Sequence, residues 1–315
     1  MINPHMKHFV VLLALLAGCS RPGSMPVEPP LVDGDESIET KTVAHLVDTL
    51  SDGTAGPMLI VVESGSFLRG KSSQKVIVAA RLGVAKTETT VAQFQKFVMG
   101  SDYQIPLGCW WHEPQEEWRL HEASSWLSPG YPQDGNHPVS CINWRDAKAY
   151  AQWLSEQTGQ HYRLPSEAEF EYFNRAGHAG GFAAGIQKPE DVCRHLNAAD
   201  HSSNLTYGAD CDDGFAHTSP VGHFPSNDFG LYDTSGNLWE FTEDCWSNDS
   251  KRSWLSRFLS SPTDGSASTG GDCQYHVMRG GSFLSSAKNL QLAHRERGSG
   301  KLRLHRSGFR LIREL

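Results

Sequence analysis

The chain has 315 residues, of which 38% are hydrophobic and 20% are charged, and its formal net charge is −8. This acidic balance, without a basic stripe that carries interleaved aromatic side chains, argues against nucleic acid as a partner. The length left after an N-terminal leader suits one large domain.

The first 19 residues have the pattern of an export signal. Lys7 precedes the apolar run 9–16, which is too short to span a bilayer. The run leads into Leu-Ala-Gly-Cys, which resembles a bacterial lipobox, and this implies that Cys19 is acylated and that Ser20 directs sorting to the outer membrane. We predict a lipoprotein signal peptide over 1–19 and a periplasmic, lipid-anchored protein. A cleaved signal without a lipid is the alternative.

Residues 20–55 are rich in Pro, Gly, Asp, Glu and Ser, which predicts a flexible tether. Within them, residues 44–50 are a weak candidate for a short helix. Residues 56–315 are predicted to form a single domain without internal repeats.

Three helices are predicted in the first half of this domain. Apolar residues recur at intervals of three and four along 89–98 and 144–157, as on the buried face of a helix. Ser166 is followed three residues later by Glu169, which is the pattern of a capping box and opens a third helix.

Short strands are expected between and after the helices, at 59–62, 276–279 and 310–312. The 30 glycines and 16 prolines interrupt the rest of the chain and indicate little regular structure there.

Six cysteines lie in the predicted domain, and an even number in an exported protein predicts disulfide bonds. Six cysteines allow fifteen pairings, and short separations are the easiest to close. The preferred pairs are Cys109 with Cys141, Cys193 with Cys211, and Cys245 with Cys273. Zinc is not supported, because neither C-x-x-C nor H-E-x-x-H spacing occurs.

The segment 230–241 places two carboxylates, Asp233 and Glu240, on either side of Gly236 and Asn237. Gly and Asn readily form a turn whose carbonyls face inward. Calcium binds six to eight oxygen atoms from carboxylates and carbonyls in flexible geometry. The spacing therefore predicts either a calcium site or a surface turn whose acids are solvated.

This segment resembles the G-L-Y-[ND]-x-x-G-N-x-W-E-W signature of the formylglycine-generating-enzyme (sulfatase-modifying-factor) family. Five further blocks resemble that family in the same order, at 58–70, 87–97, 137–172, 279–283 and 308–310. The resemblance implies an α+β fold, the complex variant of the C-type-lectin fold, with low regular secondary structure.

The catalytic position of the family differs here. In formylglycine-generating enzymes, two cysteines five residues apart after the G-G-S turn hold copper, whereas this chain has Ser285 and Leu290. Copper(I) needs soft sulfur ligands, so we predict no copper and assign no catalytic residue. Ser285 as a nucleophile would need His294, Glu296 or His305 as its base, and we do not favour it because no G-x-S-x-G motif surrounds it.

Members of the family carry two calcium ions. The resemblance implies ligands for the first ion from Asn197, Ala198, Asp213 and Phe215, and for the second ion from Asp233, Gly236, Leu238 and Glu240. Asp233 replaces a family Asn and adds negative charge. The alternative for the first set is a polar loop closed by a disulfide bond, without an ion.

Basic residues concentrate near the C-terminus, at Arg295, Arg297, Lys301, Arg303, His305, Arg306 and Arg310. They predict either a groove for an acidic partner or a solvated hairpin face, and we favour the hairpin.

Three functions remain open. The favoured one is a non-catalytic, calcium-binding module that binds an envelope protein, as in cysteine-less relatives that regulate type VI secretion through a transmembrane Ser/Thr kinase. The second is a periplasmic tailoring enzyme of the kind that matures the siderophore pyoverdine, without copper chemistry. The third is a glycan-binding module, for which fold alone is weak support. A filled pocket at Ser285 and Leu290 would argue against an enzyme, and an open cleft with a perturbed His294 would favour one.

Overall fold

The computed structural model describes residues 43–70, 74–111, 117–183, 186, 188, 191–203, 205–247 and 262–315. The predicted signal peptide, Cys19 and residues 20–42 of the predicted tether lie outside this set. None of the helices in the described part of the chain combines the length and the apolar composition needed to cross a bilayer.

The described strands and helices are numbered in chain order. The strands are β1 His45–Thr49, β2 Ala55–Val62, β3 Gly65–Leu68, β4 Lys75–Val78, β5 Leu82–Ala85, β6 Cys109–Trp111, β7 Arg119–His121, β8 Tyr162–Arg163, β9 Trp239–Trp246, β10 Asp272–Arg279, β11 Glu296–Ser299, β12 Ser307–Gly308 and β13 Ile312–Glu314. The helices are α1 Val91–Met99, α2 Trp144–Thr158, α3 Glu167–Arg175 and α4 Val192–His195.

Two larger sheets organise the domain. One is antiparallel with the order β1-β2-β5-β13-β8, and the other has the order β11-β10-β9-β12, with β12 parallel to β9. The connection 309–311 joins β12 in one sheet to β13 in the other. This mixed architecture with short strands agrees with the predicted α+β class.

The strand β1 corrects two predictions. The tether was expected to reach residue 55 and a short helix was expected at 44–50, but residues 45–49 pair with β2. Exposure alternates along β1, and Leu46 packs against the main hydrophobic cluster. Asp48 accepts a 2.6 Å hydrogen bond from Arg313 of β13. These long-range contacts override the weak local helix signal, and the domain begins earlier than residue 56.

The three predicted helices are confirmed as α1, α2 and α3. Ser166 and Glu169 form the predicted reciprocal capping box at the start of α3. The helices α1 and α2 pack through aromatic side chains, and the Phe94 ring lies 5.9 Å from Tyr150 and 6.3 Å from Phe309. The residue Phe309 lies in the connection between the two sheets, so the helices and both sheets share one core.

The predicted strands at 59–62 and 276–279 lie within β2 and β10. The strand predicted at 310–312 begins only at Ile312, because Arg310 turns its side chain into the interior.

All three predicted disulfide pairs are confirmed. Cys109 and Cys141 are fully buried and join β6 to the segment before α2. The pair Cys193 and Cys211 joins α4 to the following loop. The third pair links β9 to β10.

Candidate functional site

The segment 230–241 forms a tight turn in which Asp233, Gly236 and Asn237 all have positive φ, at 53°, 86° and 57°. A Cβ atom at Gly236 would lie 2.4 Å from the carbonyl oxygen of Asn197, so only glycine fits. The backbone N–H of Asn237 donates to that same oxygen at 2.9 Å. The two predicted sets of calcium ligands are therefore direct neighbours.

A buried guanidinium binds this turn. Arg310 Nε and Nη2 donate to the Glu240 carboxylate at 2.7–3.0 Å, and Nη2 also donates to the carbonyl oxygens of Tyr232 and Asp233 at 2.9 Å. Both partners of the ion pair are at most 1% exposed. Burial raises the pKa of Glu240, although Arg310 acts to lower it. Nothing in the sequence around Arg310 indicates that it is the partner of Glu240.

The same region holds an excess of carboxylates. Glu88 accepts a 3.0 Å hydrogen bond from the backbone of Leu238, and burial together with Asp233 and Glu240 raises its pKa well above the usual value. Burial raises the pKa of Asp233 to about 6. The carboxylates of Glu88, Asp233 and Glu240 are thus buried near the guanidinium of Arg310, which donates hydrogen bonds to the Glu240 carboxylate. A cation bound by Asp233, Glu240 and nearby carbonyls would reduce this imbalance, although it would share Glu240 with Arg310.

The first predicted set contains an unsatisfied acceptor. The Asn197 Oδ1 atom is buried without a hydrogen-bond partner among the described residues. The Asp213 carboxylate accepts from the backbone of Ala198 at 2.9 Å and of Phe215 at 2.8 Å, which brings it beside Asn197. Burial raises the pKa of Asp213 to about 7, with a contribution from Asp200. Among the described residues, this oxygen has no donor and the neighbouring Asp213 carboxylate has no basic ion-pair partner, which fits an oxygen-seeking cation.

Within the part of the chain that the structure describes, no three His, Cys, Asp or Glu side chains are arranged to hold a metal ion. The two predicted sets instead combine one or two acids with main-chain carbonyls and the Asn197 amide.

Ser285 and Leu290, which the family resemblance compares with the copper-binding cysteines, are both buried. Ser285 is 3% exposed and Leu290 is 1% exposed. The Ser285 Oγ atom accepts a 2.9 Å hydrogen bond from the backbone N–H of Ser282. Leu290 packs in an apolar cluster with Leu196, and a Cβ at Gly281 would lie 2.7 Å from its Cδ2 atom. Among the described residues, both side chains are therefore part of the packed interior.

Residues 46–315 match the sulfatase-modifying factor enzyme 1-like domain. The chain belongs to this family. It is 32% identical over 219 residues to the formylglycine-generating enzyme of Streptomyces coelicolor, an alignment that covers 68% of this chain and 62% of that protein. It is 31% identical over 192 residues to the serine/threonine-protein kinase Pkn1 of Chlamydia trachomatis, which covers 60% of this chain and 26% of the kinase.

Among solved structures, PvdO from Pseudomonas aeruginosa has the same fold as this sulfatase-modifying-factor domain. The TM-score is 0.69 and the identity 28%, over 87% of this chain and 100% of PvdO. The chain spans between 34% and 62% of the length of the first five formylglycine-generating enzymes it matches.

The three side chains considered as bases for Ser285 have other contacts in this sulfatase-modifying-factor domain. His305 is 1% exposed and stacks on Trp111 at 4.6 Å, and His294 lies 5.7 Å from the ring of Trp239. Burial lowers the pKa of His294, while Glu296 acts to raise it. Among the described residues Ser285 Oγ bonds to none of them, so the structure gives no support to a serine nucleophile.

Three of the seven residues of the basic cluster are not part of a solvated hairpin face, which corrects the favoured interpretation. Arg295 holds Glu167 at 2.6 and 2.9 Å, and Arg303 holds Asp146 at 2.8 and 2.9 Å. Together with Arg310, these side chains pair with acids of the domain itself. The sequence places the basic residues correctly but cannot show which of them are already neutralised.

Proposed function

We propose that this chain is a non-catalytic sulfatase-modifying-factor domain that acts by binding a protein partner in the bacterial envelope. The observation that carries the proposal is the burial of Ser285 and Leu290, at the positions that the family resemblance compares with the copper-binding cysteines. All six cysteines between residues 43 and 315 are in disulfide bonds, so this part of the chain offers no thiolate for copper. The scaffold is kept while the redox ligands of the family are replaced.

The similarity to the chlamydial Pkn1 kinases supports a signalling role, since a segment of this kind occurs inside a kinase chain. We propose that this chain is an accessory regulator of type VI secretion in the pathway of a transmembrane Ser/Thr kinase. Acylation at Cys19 would hold it on the periplasmic side of the outer membrane, and residues 20–42 would span the distance to its partner.

Two calcium ions belong to this proposal. Asn197, Asp213 and the carbonyls of Ala198 and Phe215 would hold the first, and the turn residues Asp233, Gly236, Leu238 and Glu240 the second. Calcium would neutralise buried carboxylates and fix loops that little regular structure supports.

The test uses cells that lack the chain and are complemented with the full-length protein. Phosphorylation of the envelope kinase is measured, and proteins that co-purify with the tagged chain are identified. We expect kinase phosphorylation to fall without the chain and to return with both the wild type and Ser285→Ala. Loss of function in Ser285→Ala, or turnover of a small metabolite by the purified chain without a protein partner, would contradict the proposal.

The second candidate is a tailoring enzyme of pyoverdine-like siderophore maturation without copper chemistry. The likeness to PvdO over the whole length of that protein favours it. Incubation of the purified chain with a pyoverdine precursor, followed by mass spectrometry, tests it, and an unchanged precursor mass would exclude it. No specific observation on the described residues favours the glycan-binding alternative.

A further inference from the structure

Arg306 differs from the other arginines of the basic cluster. Its side chain is 16% exposed, and its Nε atom is buried without a hydrogen-bond partner among the described residues. The nearest acid, Glu296, lies 4.0 Å from Nη2, which is longer than a hydrogen bond. Burial lowers the pKa of this guanidinium. Arg306 is thus a largely buried cation whose Nε–H donor has no acceptor among the described residues.

This arrangement is unusual because a guanidinium carries five N–H donors and buried polar groups are normally satisfied. Arg295, Arg303 and Arg310 each bind a carboxylate through two donors. Arg306 is buried as they are, but no described residue offers it a carboxylate within hydrogen-bond distance, so it can take an acceptor from outside the domain.

One exposed aromatic side chain lies against this cation, and a second interacts with it electrostatically. The Arg306 guanidinium lies 5.7 Å from the ring centroid of Trp118, which is 41% exposed. Tyr207 is 43% exposed, its hydroxyl donates to the carbonyl of Leu284 at 3.2 Å, and its charge state and that of Arg306 influence each other. Exposed Trp and Tyr beside Arg are the residue types enriched where binding energy concentrates at protein interfaces.

We propose that Arg306, beside Trp118, binds the carboxylate of an acidic side chain of the protein partner. A carboxylate carries a single negative charge, which matches one guanidinium. A phosphate dianion fits less well because Glu296 already places a negative charge 4.0 Å away. The choice of a protein as the source of the carboxylate rests on the proposed function.

The test uses the full-length chain and two blocked peptides that differ by one group, acetyl-Gly-Phe-Glu-Gly-amide and its Gln counterpart. The Nε–H resonance of Arg306 is followed by NMR, and affinities are measured by titration. We expect the Glu peptide to shift this resonance and the Gln peptide to leave it unchanged. Arg306→Gln should weaken binding of the Glu peptide by about tenfold or more, as expected for a lost charged hydrogen bond.

Arg297→Gln is the matched control, because it removes the same charge from a guanidinium that stacks 4.3 Å from the ring of Tyr275. We expect it to bind the Glu peptide like the wild type. If Arg306→Gln does not fold, Arg306→Lys replaces it, and it should also bind more weakly because lysine lacks the planar fork.

The outcomes separate this site from the proposed function. If the Arg306 resonance does not shift when the Glu peptide is added, the site is overturned, even if the chain still binds a protein partner. Inorganic phosphate that displaces the peptide at a lower concentration than acetate overturns the choice of a carboxylate. Binding of the Glu peptide that depends on Arg306 supports the site, even if no kinase effect is found.

Discussion

Arg310 lies in the connection between β12 and β13, and from there its guanidinium reaches the carboxylate of Glu240, 70 residues away along the chain. The same guanidinium binds carbonyl oxygens of the 230–241 turn. It therefore ties the turn to the segment that joins both sheets. Removing one partner of a fully buried ion pair leaves an uncompensated charge in the interior. The resulting loss of folding free energy is far larger than the net contribution of the intact pair.

We expect Arg310→Met to lower the free energy of unfolding by about 3–5 kcal/mol, because the Glu240 carboxylate stays buried without its cation. The double variant Glu240→Gln/Arg310→Met should regain part of this loss. Urea denaturation in the presence of a chelator measures both, so that calcium does not replace the lost cation.

Arg81→Met serves as the control for this prediction. Arg81 pairs with Glu63 at 3.2 Å, but both side chains are more than half exposed, so its loss should cost less than about 1 kcal/mol. If Arg310→Met and Arg81→Met lowered the free energy of unfolding equally, burial of the pair between Glu240 and Arg310 would not increase its contribution to stability.

Asp213 gives the predicted calcium site a pH dependence. Burial raises its pKa to about 7, and calcium binds the deprotonated carboxylate. Calcium should therefore raise the melting temperature more at pH 8 than at pH 6. Asp213→Asn should abolish most of this gain, whereas Asp210→Asn, in the same loop with a 99% exposed side chain, should keep it. A melting curve that is identical with calcium and with chelator would reject the site.

At the scale of single residues, motifs identified the ligand candidates but not the charges around them. Asp233 and Glu240 stand out in the sequence because they flank a Gly-Asn turn. The ion pair of Glu240 with Arg310, and the proximity of both acids to Glu88, depend on contacts between distant segments. Arg306 was visible only as part of a basic cluster, since burial and the lack of an acceptor are properties of the folded chain.

At the scale of elements, local signals predicted the helices well and the edge strand poorly. The capping residues that start α3 act within three residues of sequence, so the pattern alone reveals them. The strand β1 instead depends on pairing with β2 and on the contact between Asp48 and Arg313. Non-local pairing of this kind leaves little trace in composition, which explains the misplaced domain boundary.

The element pair α3 and β9 contains a buried acid that titrates near neutrality. Asp244 of β9 accepts from the backbone of Glu167 at 2.6 Å and of Ser268 at 2.7 Å. Burial and the Glu167 carboxylate raise its pKa to about 7. The folded state therefore holds this proton more tightly than the unfolded chain. The protonated Asp244 carboxyl therefore stabilises the folded state. This contribution is complete below about pH 4 and is lost as the pH rises through 7.

We expect the unfolding free energy of the wild type to fall between pH 5 and pH 8, relative to Asp244→Asn, by on the order of 2 kcal/mol. Urea denaturation at several pH values measures the difference. Asp264→Asn is the control: hydrogen bonds from Ser266 lower the pKa of this exposed carboxyl, so its contribution is constant above about pH 5. Parallel pH profiles for the wild type and Asp244→Asn would contradict the assignment.

At the scale of the whole molecule, three disulfide bonds join segments that little regular structure connects. The pairs close loops with sequence separations of 32, 18 and 28 residues. In the chain-entropy account, each bond of this size stabilises the folded state by about 3–4 kcal/mol through its effect on the unfolded chain. The sequence favoured these pairs because they close the shortest loops, but it could not show how differently the bonds are exposed.

That difference in exposure predicts the order of reduction. Cys273 is exposed, whereas Cys109 and Cys141 are fully buried. A thiolate reductant must reach a sulfur atom, so it should open the bond between Cys245 and Cys273 while the fold is intact. The bond between Cys109 and Cys141 should open only when the domain unfolds. Partial reduction, alkylation and peptide mass mapping measure the order, and in denaturant the three bonds should open at similar rates. Alkylation of Cys109 before Cys273 under native conditions would contradict this order. It would show that the buried bond opens more readily than the exposed bond between β9 and β10.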